Sequence, residues 1–252
     1  MKLGIVGKGG VGKTTVSSLL ARGFEATGRR VIAVDTDSNP NLGMSLGLTL
    51  AETEAIPVIP RNLAVGSGTI GTDDLLGQFS RQTPAGVRLL SAMRVDEAGA
   101  GCTCGHHAAV RSLLGRALED HADVAIVDME AGLEHLSRSG GTLAHADILV
   151  VVMEPTRKSI VTASRTRALA EELGIPRTYG LGNKARLPAD GAFFAEACGE
   201  HGVELCGVIP DEPAIAAADR AGSVVDELSA PVRDSVDALI AFLDSTAVGI
   251  GT

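Results

Sequence analysis

The chain contains no tryptophan, one tyrosine and five phenylalanines, so aromatic residues make up only 2% of its 252 positions. The core must therefore be built from Val, Leu, Ile and Ala. A hydrophobic share of 45% and a mean hydropathy of +0.22 supply enough of them. Basic blocks are also missing: 22 Lys and Arg stand against 31 Asp and Glu, a net charge of −9. Neutralising a run of phosphates needs clustered cations, which argues against nucleic acid as a partner. No apolar run reaches membrane-spanning length, and the apolar start Met1–Val6 is too short for a secretory leader. No linker, repeat or low-complexity stretch divides the sequence. One domain over 1–252 is expected, with 245–252 a frayed tail, in the cytoplasm and away from membranes. Four cysteines in such a chain are expected to bind metal, to react or to lie buried rather than to form disulfides.

What is present is an alternation of apolar strands and amphipathic helices. Strands are expected at Leu3–Val6, Val31–Val34, Val87–Ser91, Val124–Val127, Ile148–Met153, Thr178–Gly182 and Val203–Ile209. Helices are expected at Val16–Thr27, Ala108–Asp120, Ser159–Leu173, Ala192–Glu200 and Val232–Leu243, with Val95–His107 a loop. Continuous apolar strands separated by helices predict an α/β fold whose mostly parallel sheet is covered by helices on both faces. Ligands of such sheets bind beyond the carboxyl ends of the strands.

The first such end carries Gly7-Lys8-Gly9-Gly10-Val11-Gly12-Lys13-Thr14-Thr15, which fits the phosphate-loop pattern G-x-x-x-x-G-K-[ST] between a strand and a helix. Its glycines let backbone N–H groups from Gly9 to Thr15 close around phosphate oxygens at a helix N-terminus. Lys13 reaches the β- and γ-phosphates, and the Thr14 hydroxyl suits Mg²⁺. The chain is thus a single-domain P-loop NTPase in expectation, with ATP or ADP and Mg²⁺ as cofactors. After the second strand comes Asp35-Thr36-Asp37-Ser38-Asn39. Asp37 is either a carboxylate that positions an attacking water or part of a turn, for which Asp-Ser-Asn-Pro is well suited. After the fourth strand comes Asp128, a Walker B carboxylate able to hold Mg²⁺ through water. The stretch 130–141 would then be a second switch responsive to γ-phosphate.

Lys8, directly after the first glycine, makes the loop K-G-G-V-G-K-T-T. This resembles the deviant Walker A ATPases, P-loop proteins that include the MinD, ParA and nitrogenase iron protein types. The resemblance implies that Lys8 reaches the nucleotide of a second subunit, where it stabilises the transferring phosphoryl group. It also implies that Asp37 belongs to switch I, and that Asn183 and the Pro210-Asp211 pair, following the last two strands, contact the base.

Cys102-Thr103-Cys104 precedes an expected helix. Two thiols at this spacing can ligate a borderline metal such as Ni²⁺ or Zn²⁺, but two ligands do not close a tetrahedral site, whereas two copies on a dimer axis supply four. A reactive unliganded pair and a redox disulfide remain alternatives. His106 and His107 follow as further ligands or as solvent-facing residues. Cys198 and Cys206 read as small buried hydrophobes. The C-x-C pair, together with Asp-Met-Glu-Ala-Gly-Leu-Glu-His-Leu at 128–136, resembles the CooC-type ATPases over nearly the whole chain. That resemblance implies a homodimer with Ni²⁺ or Zn²⁺ at its interface, assisting nickel insertion into carbon monoxide dehydrogenase or a related nickel enzyme.

Two other readings share the phosphate loop. A positioning ATPase of the ParA or MinD kind would carry a basic amphipathic helix for lipid, yet Val232–Leu243 offers Arg233 beside Asp234 and Asp237. A relative of nitrogenase iron protein would bridge an iron–sulfur cluster with one cysteine on each side of Asp128, yet none follows until Cys198.

Overall fold

Eight strands form one sheet in the computed structural model, which describes residues 1–60, 71–94, 121–130, 143–225 and 227–247. They are β1 Lys2–Gly7, β2 Val31–Asp35, β3 Ser80–Gln82, β4 Arg88–Ser91, β5 Val124–Asp128, β6 Ile148–Met153, β7 Arg177–Ala185 and β8 Leu205–Pro210, in spatial order β3-β4-β2-β5-β1-β6-β7-β8. Every pairing is parallel except β3 with β4. The mostly parallel sheet is the one the apolar runs predict. The short antiparallel edge strand β3 was not anticipated, because Ser-Arg-Gln carries no apolar signal.

The helices among the described residues are α1 Lys13–Ala26, α2 Leu42–Ser45, α3 Leu50–Glu54, α4 Thr72–Phe79, α5 Arg157–Glu172, α6 Pro188–Glu200, α7 Pro213–Ala221 and α8 Ala230–Ala247. Strand residues alternate between two cores. Leu3, Ile5, Val31, Ala33, Val124 and Ile126 pack with Val16, Leu20 and Phe24 of α1 and Val236, Leu239 and Leu243 of α8. Val6, Ile32, Val34, Val127 and Met153 pack on the opposite face with Leu76 of α4, Ile160 and Ala163 of α5, and Phe194 and Ala197 of α6. Period-2 strands between two helical layers explain why both faces are apolar. Aliphatic packing does nearly all of this work. Tyr179 of β7 meets Phe242 of α8 edge to face at 4.9 Å and 86°.

Several boundaries differ from expectation, among them three in the second half of the chain. Helix α8 runs to Ala247 and absorbs the start of the expected tail, anchored by Arg29, whose guanidinium donates twice to the Asp244 carboxylate at 2.7 Å. Strand β7 continues through Asn183 and Lys184 to Ala185, its pairing with β8 shifting register after Gly182. Strand β8 ends on Pro210 rather than Ile209. The expected helix 108–120 and the loop carrying Cys102, Cys104, His106 and His107 lie outside the described residues, as does 131–141 of the second switch. Cys198 and Cys206 are buried and free; burial pushes the Cys206 thiol up to about 12.

Candidate functional site

The turn after β1 leads into α1 through Gly12, whose φ of 93° only glycine adopts without strain. Asn183 Nδ2 also lies 2.5 Å from where a Cβ on Gly12 would stand. No side chain caps α1, and no acidic residue lies in its first turn. The helix therefore presents its first amides and positive dipole end to an anion. Lys8, Gly9 and Gly10 are exposed, Val11 is buried, and Thr14 and Thr15 are half-buried. Lys13 is buried, with its ammonium 3.4 Å from the Lys8 carbonyl. Desolvation lowers the Lys13 pKa, against the opposing charges of Asp128, Asp37 and Glu130.

The parallel register sets the acidic residues. β2 and β5 pair so that Asp35 lies opposite Asp128, and β1 pairs with β5 on its other side, Ile5 opposite Asp128. Both carboxyl groups are 2% exposed. Asp128 Oδ1 accepts from the Ser17 hydroxyl at 3.0 Å. Burial lifts the Asp128 pKa to about 6, against hydrogen bonds from Thr14 and Ser17 and the charge of Lys13. Thr36 ties the loop after β2 to the end of β5, its backbone N–H and its hydroxyl both donating to the Asp128 carbonyl at 3.0 and 2.8 Å.

Asp35 builds the loop that holds Asp37. One of its oxygens accepts from the Asp37 N–H at 3.0 Å, and the other from the N–H groups of Asn41 and Leu42 at 3.0 and 2.9 Å. Burial, then the charge of Asp128, raises the Asp35 pKa to about 7 despite these three bonds. Asp37 is half-buried, and its Oδ1 accepts from Asn39 N–H at 2.9 Å. It therefore forms the expected turn, and its charge acts on Lys13 at the same time. The turn and the catalytic assignments are compatible. Ser38 donates to Glu130 Oε1 at 3.0 Å.

The other side of the loop is held from β7. Asn183 donates to the Val11 carbonyl at 2.8 Å, and Lys184 to the Gly10 carbonyl at 2.7 Å. Lys184 has a φ of 58°, the one non-glycine residue with positive φ among those described. That conformation carries strain of order 1 kcal/mol. The two segments singled out for the base meet: Asp211 N–H donates to the Ala185 carbonyl at 2.8 Å, and Asp211 pairs with Arg186 at 2.9 Å next to Pro210.

Lys13, Thr14, Asp37 and Asp128 thus converge, with Asn183, Pro210 and Asp211 grouped beside the loop. Sequence reasoning assigned no role to Asp35, Ser17, Thr36 or Lys184. Ser17 was findable: it lies four residues after Lys13 and so shares its helix face. Thr14 and Asp128 offer hard oxygen donors, and the buried Asp128 carboxylate is met only by hydroxyls among its described hydrogen bonds, a set that fits Mg²⁺. No group of three or more potential metal-ligating side chains occurs among the described residues, and no helix among them is long and apolar enough to cross a membrane.

Comparison with known proteins agrees with this geometry. Residues 5–225 match the CobQ/CobB/MinD/ParA nucleotide binding domain. The carbon monoxide dehydrogenase accessory protein CooC of Rhodospirillum rubrum is 38% identical, over 96% of both chains. The MinD cell division protein of Aquifex aeolicus superposes with a TM-score of 0.72 at 20% identity, covering 97% of this chain and 96% of that one. MinD of Pyrococcus horikoshii, complexed with Mg-ADP, superposes at 0.64 and 20% identity, covering 98% and 96%.

Proposed function

Since the chain belongs to the CobQ/CobB/MinD/ParA family of P-loop ATPases, we propose that it works as a homodimer. In this reading ATP turnover drives Ni²⁺ or Zn²⁺ carriage on Cys102 and Cys104 and assists nickel insertion into carbon monoxide dehydrogenase or a related nickel enzyme. The observation that carries the ATPase half is the convergence of Asp37, two residues past the end of β2, and Asp128, at the end of the adjacent parallel strand β5, on the ammonium of Lys13. The amides of Gly9–Thr15 bind the phosphates, with Lys13 leaving the Lys8 carbonyl for the β- and γ-oxygens. Thr14 and Asp128 hold Mg²⁺, which offsets phosphate charge. Asp37 orients the attacking water and accepts its proton, and the partner subunit's Lys8 meets the charge that develops on the transferred group. Asn183, Pro210 and Asp211 line the place for the base.

The metal half is supported by the match to CooC along 96% of each chain, together with the C-x-C pair. Two thiolates from each subunit make a four-sulfur site, complete only in the dimer. If the metal sits between subunits that ATP draws together, nucleotide and metal affinities are linked, and each must change the other by the same factor.

Titration of reduced, anaerobic protein with Ni²⁺, read by native mass and metal content with and without nucleotide, tests this. One metal per dimer is expected, lost in the double variant Cys102→Ser plus Cys104→Ser, with an affinity that differs between the ATP and ADP states. Absence of cysteine-dependent binding in every nucleotide state would remove the metal-carrying role and leave an ATPase with another partner.

A further inference from the structure

Two side chains of β7 grip the phosphate loop at adjacent carbonyls, Asn183 at Val11 and Lys184 at Gly10, with bonds of 2.8 and 2.7 Å. In a regular strand successive side chains point to opposite faces, so one straight segment could not present both. Here the pairing of β7 with β8 shifts register between Gly182 and Ala185, and Lys184 takes its φ of 58° within that shift. A lysine keeps such a conformation only where its surroundings enforce it, and strain of this kind gathers at functional positions. The reaction described above gives Asn183 to the base and nothing to Lys184.

The grip matters because of peptide geometry. In a trans peptide the carbonyl of one residue and the N–H of the next point in opposite directions. Drawing the Gly10 carbonyl towards Lys184 turns the Val11 N–H away from it, and drawing the Val11 carbonyl towards Asn183 does the same for the Gly12 N–H. The Val11 N–H makes only a long 3.5 Å contact, with the Lys8 carbonyl, which the Lys13 ammonium also approaches at 3.4 Å. The Gly12 N–H meets no acceptor among the described residues. Charged phosphate oxygens are stronger acceptors than a carbonyl, and these loosely held donors are the ones the ATPase reading turns to them. The short bonds at the Gly10 and Val11 carbonyls stay in place meanwhile. Gly9 and Gly10 are exposed, and no heavy atom lies within 4 Å of where a Cβ on Gly10 would stand. Packing therefore does little to hold this peptide, and glycine's backbone freedom would otherwise scatter its amides.

We propose that Lys184 is a positioning residue for phosphate binding. It latches the Gly10 carbonyl, beside Asn183 on Val11, so that the Val11 and Gly12 amides already face the phosphate position and little ordering remains to be done on binding. The backbone strain at Lys184 is the cost of this latch. The inference rests on the ATPase reading and adds to it a residue that serves the phosphates rather than the base.

Dissociation constants for Mg-ADP and for magnesium pyrophosphate, which has no base, test it on wild type and on Lys184→Met, Lys184→Gly and Lys184→Arg. The first two variants remove the ammonium, and the glycine takes the φ without strain, so it separates loss of the latch from loss of the fold. Both should weaken ADP and pyrophosphate by the same factor, about fivefold, and Lys184→Arg, which keeps a charged donor, should restore most of the affinity. Hydrogen exchange of the peptide 7–15, measured without ligand, should be about fivefold faster in Lys184→Met and Lys184→Gly than in wild type. If ADP weakens while pyrophosphate does not, Lys184 serves the base and the proposal is wrong. If both weaken while exchange in 7–15 matches wild type, the ammonium acts as a distant charge and the latch is wrong. If neither weakens, Lys184 has no role in binding. In these three cases the ATPase reading stands; it falls if wild type binds neither ADP nor pyrophosphate.

Discussion

Replacing Asp35 with asparagine should make the protein more stable in alkali, less stable in mild acid and slower at every pH. The carboxyl is 2% exposed, and burial raises its pKa from 3.8 to about 7. That rise corresponds to ~4 kcal/mol of folding free energy lost when the group must be ionised in the fold. The sign follows from proton counting. Between about pH 4 and pH 7 the folded protein holds a proton that the unfolded chain has released, so stability increases as pH falls through this window and is lowest above it. From pH 8 to pH 5 the wild type should therefore gain ~3 kcal/mol from Asp35 that the variant does not. Asp128, raised to about 6, adds a slope of its own, and because its charge and that of Asp35 act on one another, the difference between the two proteins reads the pair rather than Asp35 alone. Against the relief of charge stands geometry. A carboxamide has one oxygen for the Asn41 and Leu42 N–H groups, and its NH₂ then confronts the Asp37 N–H that the second carboxylate oxygen accepts. That mismatch costs ~1–3 kcal/mol. At pH 8 the variant should equal or exceed wild type, and at pH 5 it should fall below. Urea unfolding in the presence of a chelator, at several pH values, reads the crossing. ATP turnover should drop at least about tenfold even where stability is gained, because Asp37 loses the bond that fixes it. Parallel stability profiles for the two proteins would refute the reasoning.

Gly12→Ala should weaken ADP binding by more than about tenfold in calorimetry, since its Cβ would stand 2.5 Å from Asn183 Nδ2 at a φ of 93°; adding Asn183→Ala should restore only part, because the backbone strain persists. Ser17→Ala removes a hydroxyl from the buried Asp128 carboxylate and should cost ~1–2 kcal/mol in urea unfolding while weakening Mg²⁺ dependence of nucleotide binding. Arg29→Ala removes the two hydrogen bonds to the Asp244 carboxylate and the contact over the Phe24 ring at 5.2 Å. Both charged partners keep about a third of their surface in water, so the loss should be only ~1 kcal/mol, seen as a small drop in Tm and none in ATP affinity.

The sheet was legible because its inner strands are buried on both sides, which leaves continuous apolar runs such as Ile148–Met153 that nothing else in the chain imitates. The phosphate loop was legible because its chemistry is local: backbone amides and one lysine within nine residues suffice. What escaped was set by contacts between segments distant in sequence. Asp35 ends an apolar run exactly as a solvent-facing residue would, and only the register opposite Asp128 shows that it is buried. Lys184 looks like an ordinary turn residue; its role comes from the Gly10 carbonyl, 174 positions away. Strand β3 and helices α2, α3, α4 and α7 escaped for a different reason, being short or weakly apolar and held by their neighbours rather than by their own pattern.

The edge-to-face contact between Tyr179 and Phe242 gives the molecule an optical label of its own. With no indole anywhere in the chain to outshine it, all intrinsic ultraviolet emission above that of phenylalanine comes from one phenol at the junction of β7 and α8. Unlabelled protein can therefore report, in a cuvette and in real time, whether its last helix is seated. Because β7 also carries Asn183 and Lys184 to the phosphate loop, the same light can be followed while nucleotide is added.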